Sequence, residues 1–148
     1  MDSSVRDDLV ALKASIREWA RELGFQALGV ADADLSRAAP RLREWLRAGW
    51  HGDMDYMERR AALRTDPAVL VPGTMRVISL RMNYRARHAT GDDVVLNDDA
   101  KAYVARYALG RDYHKVLRSR LQALASRIES AAGGMRYRVF VDSAPVME

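Results

Sequence analysis

Asp142 is the side chain in this sequence best placed for acid–base chemistry. It follows an apolar run, Val139-Phe140-Val141, that reads as a buried strand, and it enters a Ser143-Ala144-Pro145 turn. Strand ends that open into loops commonly carry reactive groups. A carboxylic acid has a reference pKa of about 3.9, so it donates a proton near neutral pH only if burial raises that value. An apolar strand on one side and a bulky apolar ligand on the other would supply such burial and make Asp142 a general acid. The competing reading is structural: Asp142 caps a helix that begins at Pro145.

A second cluster is Arg106-Tyr107-Ala108-Leu109-Gly110-Arg111-Asp112-Tyr113-His114-Lys115. Two arginines, two tyrosines, a histidine and a lysine surround one glycine, directly before a helix. Helix N-termini attract anions, and guanidinium groups fit phosphate and amide oxygens. A capped helix start with solvated charges accounts for the same residues equally well. A third candidate is Arg64, in Leu63-Arg64-Thr65-Asp66-Pro67; taken singly, such an arginine is an ordinary surface side chain. His51, His88 and His114 are scattered without metal-ligand spacing, which argues against zinc. The chain lacks Gly-x-Gly-x-x-Gly, P-loop and Gly-x-Ser-x-Gly patterns, so nicotinamide, nucleotide and serine-hydrolase readings have no support.

The elements that must position these groups follow from periodicity. Leu9, Leu12, Ile16, Trp19, Ala20 and Leu23 form one apolar stripe, predicting a helix over 4–23 with Ser4 as cap and Gly24 as stop. Ala27 to Ala31 reads as a short strand of small residues. Leu35 to Trp50 reads as a second helix that Pro40 interrupts, with Gly49 closing it. Gly52 to Arg59 suggests a short helix, and 63–73 a loop with one helical turn. Val77 to Met82 is a strand. Residues 85–99 read as a polar surface loop, and 102–109 is ambiguous between strand and helix. Asp112 to Ala132 is a helix capped by Asp112, leading to the final strand. Helices between strands give an α/β (α+β) class with a small mixed sheet flanked by helices.

Composition sets the outer bounds. The 148 residues suffice for one domain, with 49% apolar and 30% charged residues, an ordinary globular balance. No apolar run reaches the roughly 18 residues of a membrane span, and residues 1–8 have no signal-peptide core. A cytoplasmic location is expected. There are no cysteines, hence no disulfide, thiolate metal site or cysteine nucleophile in these residues. The net charge is +4 and the pI about 9.7. That excess suits a phosphate-rich partner, although arginine outnumbers lysine 21 to 3, a skew that codon usage alone produces. The polypeptide stops just after Asp142 with nothing to pack behind it, so it reads as the front part of a longer enzyme.

Taken in order, Gly49-Trp50-His51-Gly52-Asp53-Met54-Asp55-Tyr56-Met57, Leu63 to Pro67, Leu70-Val71-Pro72-Gly73, Arg106 to Lys115 and Val141 to Val146 resemble the N-terminal half of the epoxyqueuosine reductase family. The resemblance spans essentially all 148 residues. It implies a cobalamin-binding α/β domain over 1–148, ahead of a ferredoxin-like domain with two [4Fe-4S] clusters. It implies reduction of the epoxide of epoxyqueuosine at the tRNA wobble position, the last step of queuosine biosynthesis. Asp142 matches the family's proton donor, and Arg64 and Arg106 match positions that hold the cofactor's periphery; Tyr107 and His114 are neighbours of that site with open roles. With no cysteine, this chain binds neither cluster and is expected to be without turnover alone. The implied partner is tRNA, with no membrane, and the protein is expected to be a monomer. Two other readings stay open: a stand-alone corrinoid carrier, and a small RNA-binding domain.

Overall fold

The fold was obtained as a computed structural model, which describes residues 3–84 and 91–142 and, in the first helix, side chains from Arg6 onward. Helix α1 spans Ser3–Glu22. Its apolar stripe turns Ile16 and Ala20 fully inward, with Leu12, Trp19 and Leu23 packed beside them, while Leu9 stays exposed. The helix ends in a Schellman turn. Gly24 takes φ +84°, its N–H bonds to the Arg21 carbonyl, and the Phe25 N–H reaches back to Ala20. This geometry folds Phe25 into the core, where it is 3% exposed.

The chain then enters β1, Ala27–Asp32, which pairs antiparallel with β2, Arg76–Arg81. The register sets Leu28 opposite Leu80 and Val30 opposite Ile78. Leu28, Ile78 and Leu80 therefore share one face of the ribbon, and all three pack on the α1 core. Between the strands lie four short helices: α2 (Ala39–Arg47), α3 (Asp55–Arg59), α4 (Ala61–Thr65) and α5 (Pro67–Leu70). The second of the expected helices is shorter than its apolar pattern. It begins beside Pro40, whose ring suits a first turn and whose missing N–H removes a bond farther in.

After β2 come α6 (Asp92–Leu96), a 3₁₀ turn at Arg106–Ala108, and the long α7 (Tyr113–Ala131). Helix α7 buries Leu124, Ala125 and Ile128 against α1. The core is thus a two-helix layer on a two-stranded ribbon.

The α/β class holds, with corrections in detail. The sheet is a two-stranded antiparallel ribbon among the described residues, not a mixed one. Residues 139–141, expected as a final strand, are not part of the described ribbon, which consists of β1 and β2 alone. Part of the expected 85–99 loop is helix α6, where Asp92 and Asp93 favour the first turn. Ser4 lies inside α1 rather than at its cap. The expected turn at Ser143–Pro145, a helix from Pro145, and His88 all lie outside the described residues. No helix among the described residues is long and apolar enough to cross a membrane.

Candidate active site

Gly110, at φ +87°, turns the chain into α7. Asp112 then caps the helix, its Oδ1 accepting the His114 N–H at 3.0 Å. That cap fixes the first turn, and with it the two side chains that matter most. The Tyr113 and His114 rings stack at 3.9 Å, and Tyr107 meets Tyr113 edge-on at 5.9 Å.

Asp142 arrives at this turn from the other end of the molecule. The Tyr113 hydroxyl donates to Asp142 Oδ2 at 2.6 Å, and His114 Nε2 stands 3.4 Å from Oδ1. His114 Nδ1 faces Asp112 Oδ1 at 3.1 Å. The imidazole is therefore bracketed by two carboxylates. A neutral ring donates to only one of them, and an imidazolium donates to both. The hydrogen bond to Asp142, with lesser help from desolvation and neighbouring negative charge, pushes the Tyr113 phenol up to about 12. The hydrogen bond from the His114 side chain holds the Asp112 carboxyl below its usual range. The Asp142 side chain is 55% exposed. The burial expected of it is therefore not supplied by the described residues.

The other two expected residues sit in different surroundings. Arg106, in the 3₁₀ turn, is engaged by Asp92 of α6: Nε donates to Oδ1 at 2.7 Å and Nη2 at 2.5 Å. Its side chain is only 14% exposed. It thus clamps the 91–109 segment directly ahead of Tyr107, and reading 92 as loop concealed that partner. Arg64 is half-buried near the end of α4. The structure brings Asp142, His114 and, through Tyr113, Tyr107 together, whereas Arg106 is engaged by Asp92.

Tyr113 is the residue that sequence reasoning passed over as the partner of Asp142. Length arithmetic contains the missing signal. Helix α7 has 19 residues, about 28 Å long. A return from Met135 to Asp142 can reach about 23 Å if extended, most of the helix length, which brings Asp142 beside the helix start. Gln122 Nε2 donating to the Tyr137 hydroxyl at 2.6 Å holds that return against α7 midway.

Two kinds of group implied by the resemblance meet different fits. An iron–sulfur cluster does not fit these residues, which contain no cysteine. Cobalamin, with its broad ring and amide fringe, would need apolar surface beside hydrogen-bonding groups. Tyr107 stands exposed and edge-on to Tyr113, apolar surface next to hydrogen-bonding groups. No group of three or more potential metal ligands occurs among the described residues.

Comparison with known proteins matches residues 64–143 to the family described as epoxyqueuosine reductase QueG, DUF1730. The chain is 52% identical over 141 residues to the epoxyqueuosine reductase of Pseudomonas aeruginosa, covering 95% of this chain and 39% of that one. It is 49% identical to the Vibrio cholerae epoxyqueuosine reductase and 48% to that of Escherichia coli, again over 95% of this chain and 38% and 37% of theirs. The chain therefore spans about two fifths of the length of the curated relatives it matches. No solved structure matches.

Proposed function

Because the chain belongs to the epoxyqueuosine reductase family, we propose that it forms part of an oxidoreductase that removes the epoxide oxygen of epoxyqueuosine in tRNA. The observation that carries this reading is the Asp142 carboxyl, gripped by Tyr113 at 2.6 Å and faced by His114 at 3.4 Å, within the matched region. Converting the epoxide to the cyclopentene breaks both carbon–oxygen bonds. It consumes two electrons and two protons and releases water. Cobalamin, when bound, supplies the electrons at its metal.

The residues of this chain would manage the proton. An alkoxide is a poor leaving group at neutral pH, and proton donation as the bond breaks is typically worth about 10²–10⁴ in rate. Asp142 is the donor in this reading. Tyr113 holds Oδ2, and Oδ1, facing His114 Nε2 at 3.4 Å, is the oxygen that would meet the substrate. His114, lying between Asp112 and Asp142, is placed to restore the proton afterwards. Arg64 would meet the cofactor's periphery, and Arg106 would fix the turn that presents Tyr107. The net charge of +4 favours approach of a polyanionic tRNA. The iron–sulfur clusters that relay electrons would lie outside this chain, and the work would be done in the cytoplasm.

The test is direct. The relative-length protein, loaded with cobalamin and given a reductant, should convert epoxyqueuosine tRNA to queuosine tRNA, read by mass spectrometry of the digested nucleosides as the loss of one oxygen. Unchanged nucleoside with a demonstrably loaded, reducible protein would contradict the assignment.

A further inference from the structure

Two tethers lay the chain that returns from the end of α7 along one side of that helix. The Tyr137 hydroxyl accepts from Gln122 Nε2 at 2.6 Å, and Asp142 accepts from the Tyr113 hydroxyl at 2.6 Å and faces His114 Nε2 at 3.4 Å. The return therefore passes beside the stretch of helix between Gln122 and His114. Lys115 and Arg118 lie on that stretch, seven and four residues before Gln122, so all three share one helix face. On the return, half-buried Met135, Tyr137 and Val139 alternate with exposed Arg136 and Arg138, which puts both arginines on the outward side. Arg138 is steadied over the Phe140 ring at 5.0 Å. Lys115 and Arg118 are exposed as well. Among the described residues none of these four cations pairs with an acid, whereas Arg106 and Arg127 are both taken up by carboxylates. The acids between 111 and 142 are Asp112 and Asp142, engaged with His114 and Tyr113, and Glu129, which lies past Gln122 toward the far end of α7.

We propose that Lys115, Arg118, Arg136 and Arg138 form a phosphate-binding strip that holds the RNA backbone next to the nucleotide presented to Asp142. The strip presupposes the RNA substrate proposed above and gives it a place on this chain. A base that undergoes chemistry in a site has to leave its stack, so its own phosphate and those of its neighbours stay outside the site. They call for cations that are close by and not already neutralised. Arg138 is four residues from Asp142, no more than about 14 Å along the backbone. Lys115 directly follows His114, which faces the same carboxyl. Other exposed arginines, such as Arg41 and Arg43 of α2, have no such link to Asp142. A positive strip of this kind tracks the backbone without reading sequence, which leaves recognition of the base to the site.

Fluorescence anisotropy of an anticodon stem-loop RNA with the relative-length protein, taken across a salt series, tests it. Arg136→Gln with Arg138→Gln should weaken binding at least about tenfold and flatten the slope of log affinity against log salt by about 1.4, two single-strand phosphate contacts at about 0.7 each. Lys115→Gln with Arg118→Gln, on the helix side of the strip, should reproduce that loss. Arg41→Gln with Arg43→Gln removes the same charge from α2 and should change affinity less than about twofold. The substituted side chains are all exposed, so every variant should keep the parent's thermal midpoint. If the parent binds RNA and the two strip variants match it in affinity and slope, the strip is overturned and the substrate reading stands. Equal losses in the strip and α2 variants would assign the effect to net charge and overturn the strip too. A parent that binds no RNA would remove the substrate reading itself, and the strip with it.

Discussion

The Tyr113–Asp142 hydrogen bond is the most informative single contact in the molecule. It joins residues 29 apart in sequence and places an acid, a phenol and an imidazole at one helix start. A phenol whose pKa is raised to about 12 stays protonated, and so remains a donor, throughout the physiological range. Subtracting the alkaline absorbance titration of Tyr113→Phe from that of the unaltered protein isolates this residue. Its midpoint should fall near 12, against about 10 for a free tyrosine. A midpoint near 10 would mean the contact does not persist in solution. The sign for stability follows: the folded pKa lies above the unfolded one, so the contribution is fully present below pH 10 and is lost as pH rises from 10 to about 12. In the relative-length enzyme Tyr113→Phe should retain cobalamin and lose about tenfold in turnover, the scale of one hydrogen bond to a charged group. An undiminished rate would reduce Tyr113 to a structural role.

At the scale of elements, the ends of α1 and α7 carry most of the architecture. Gly24 is the sharpest test. Its φ of +84° disfavours any side chain, and a Cβ there would lie 2.6 Å from Arg120 Nη1. The arginine can move aside, so the backbone term dominates, and Gly24→Ala should cost about 1–2 kcal/mol in urea denaturation. No loss would show that the Schellman turn is not formed. Asp112→Ala should cost about 1 kcal/mol through the lost cap and should release His114 as well. Helices α1 and α7, both strands and the Asp112 cap were legible because each is written in local periodicity or stop signals. The absence of 139–141 from the described ribbon was not, because a run such as Val-Phe-Val suits a strand but does not say which strand it would join. Helix α6 was hidden for a related reason: its Asp-Asp start reads as loop until its position at a helix N-terminus is known.

For the molecule as a whole, the core is one-sided. Ile16, Ala20, Phe25, Leu124 and Ile128 form a compact cluster between two helices and a ribbon, while the segment carrying Trp50, Met75 and Leu109 is bare. This division was partly visible in the sequence. Asp142 could be singled out by type and position, and the resemblance pointed to the surrounding turn. The exposure of Asp142 could not be read, since burial depends on what packs around a side chain in the fold and not on its neighbours in sequence. Leu124→Ala, at a position 2% exposed, should therefore cost about 2–5 kcal/mol and unfold the shared core. Met75→Ser should leave the thermal midpoint of the isolated chain almost unchanged, because that side chain is already in water. Equal destabilisation by the two would contradict a one-sided core.

The central claim is that Asp142 supplies the proton, and Asp142→Asn in the relative-length enzyme isolates it. The amide keeps the size of the side chain and removes the acid. The account predicts a protein that retains the visible spectrum of bound cobalamin and accepts electrons, yet forms queuosine at least about a hundredfold more slowly. Turnover at the unaltered rate with the cofactor in place would remove Asp142 from the chemistry.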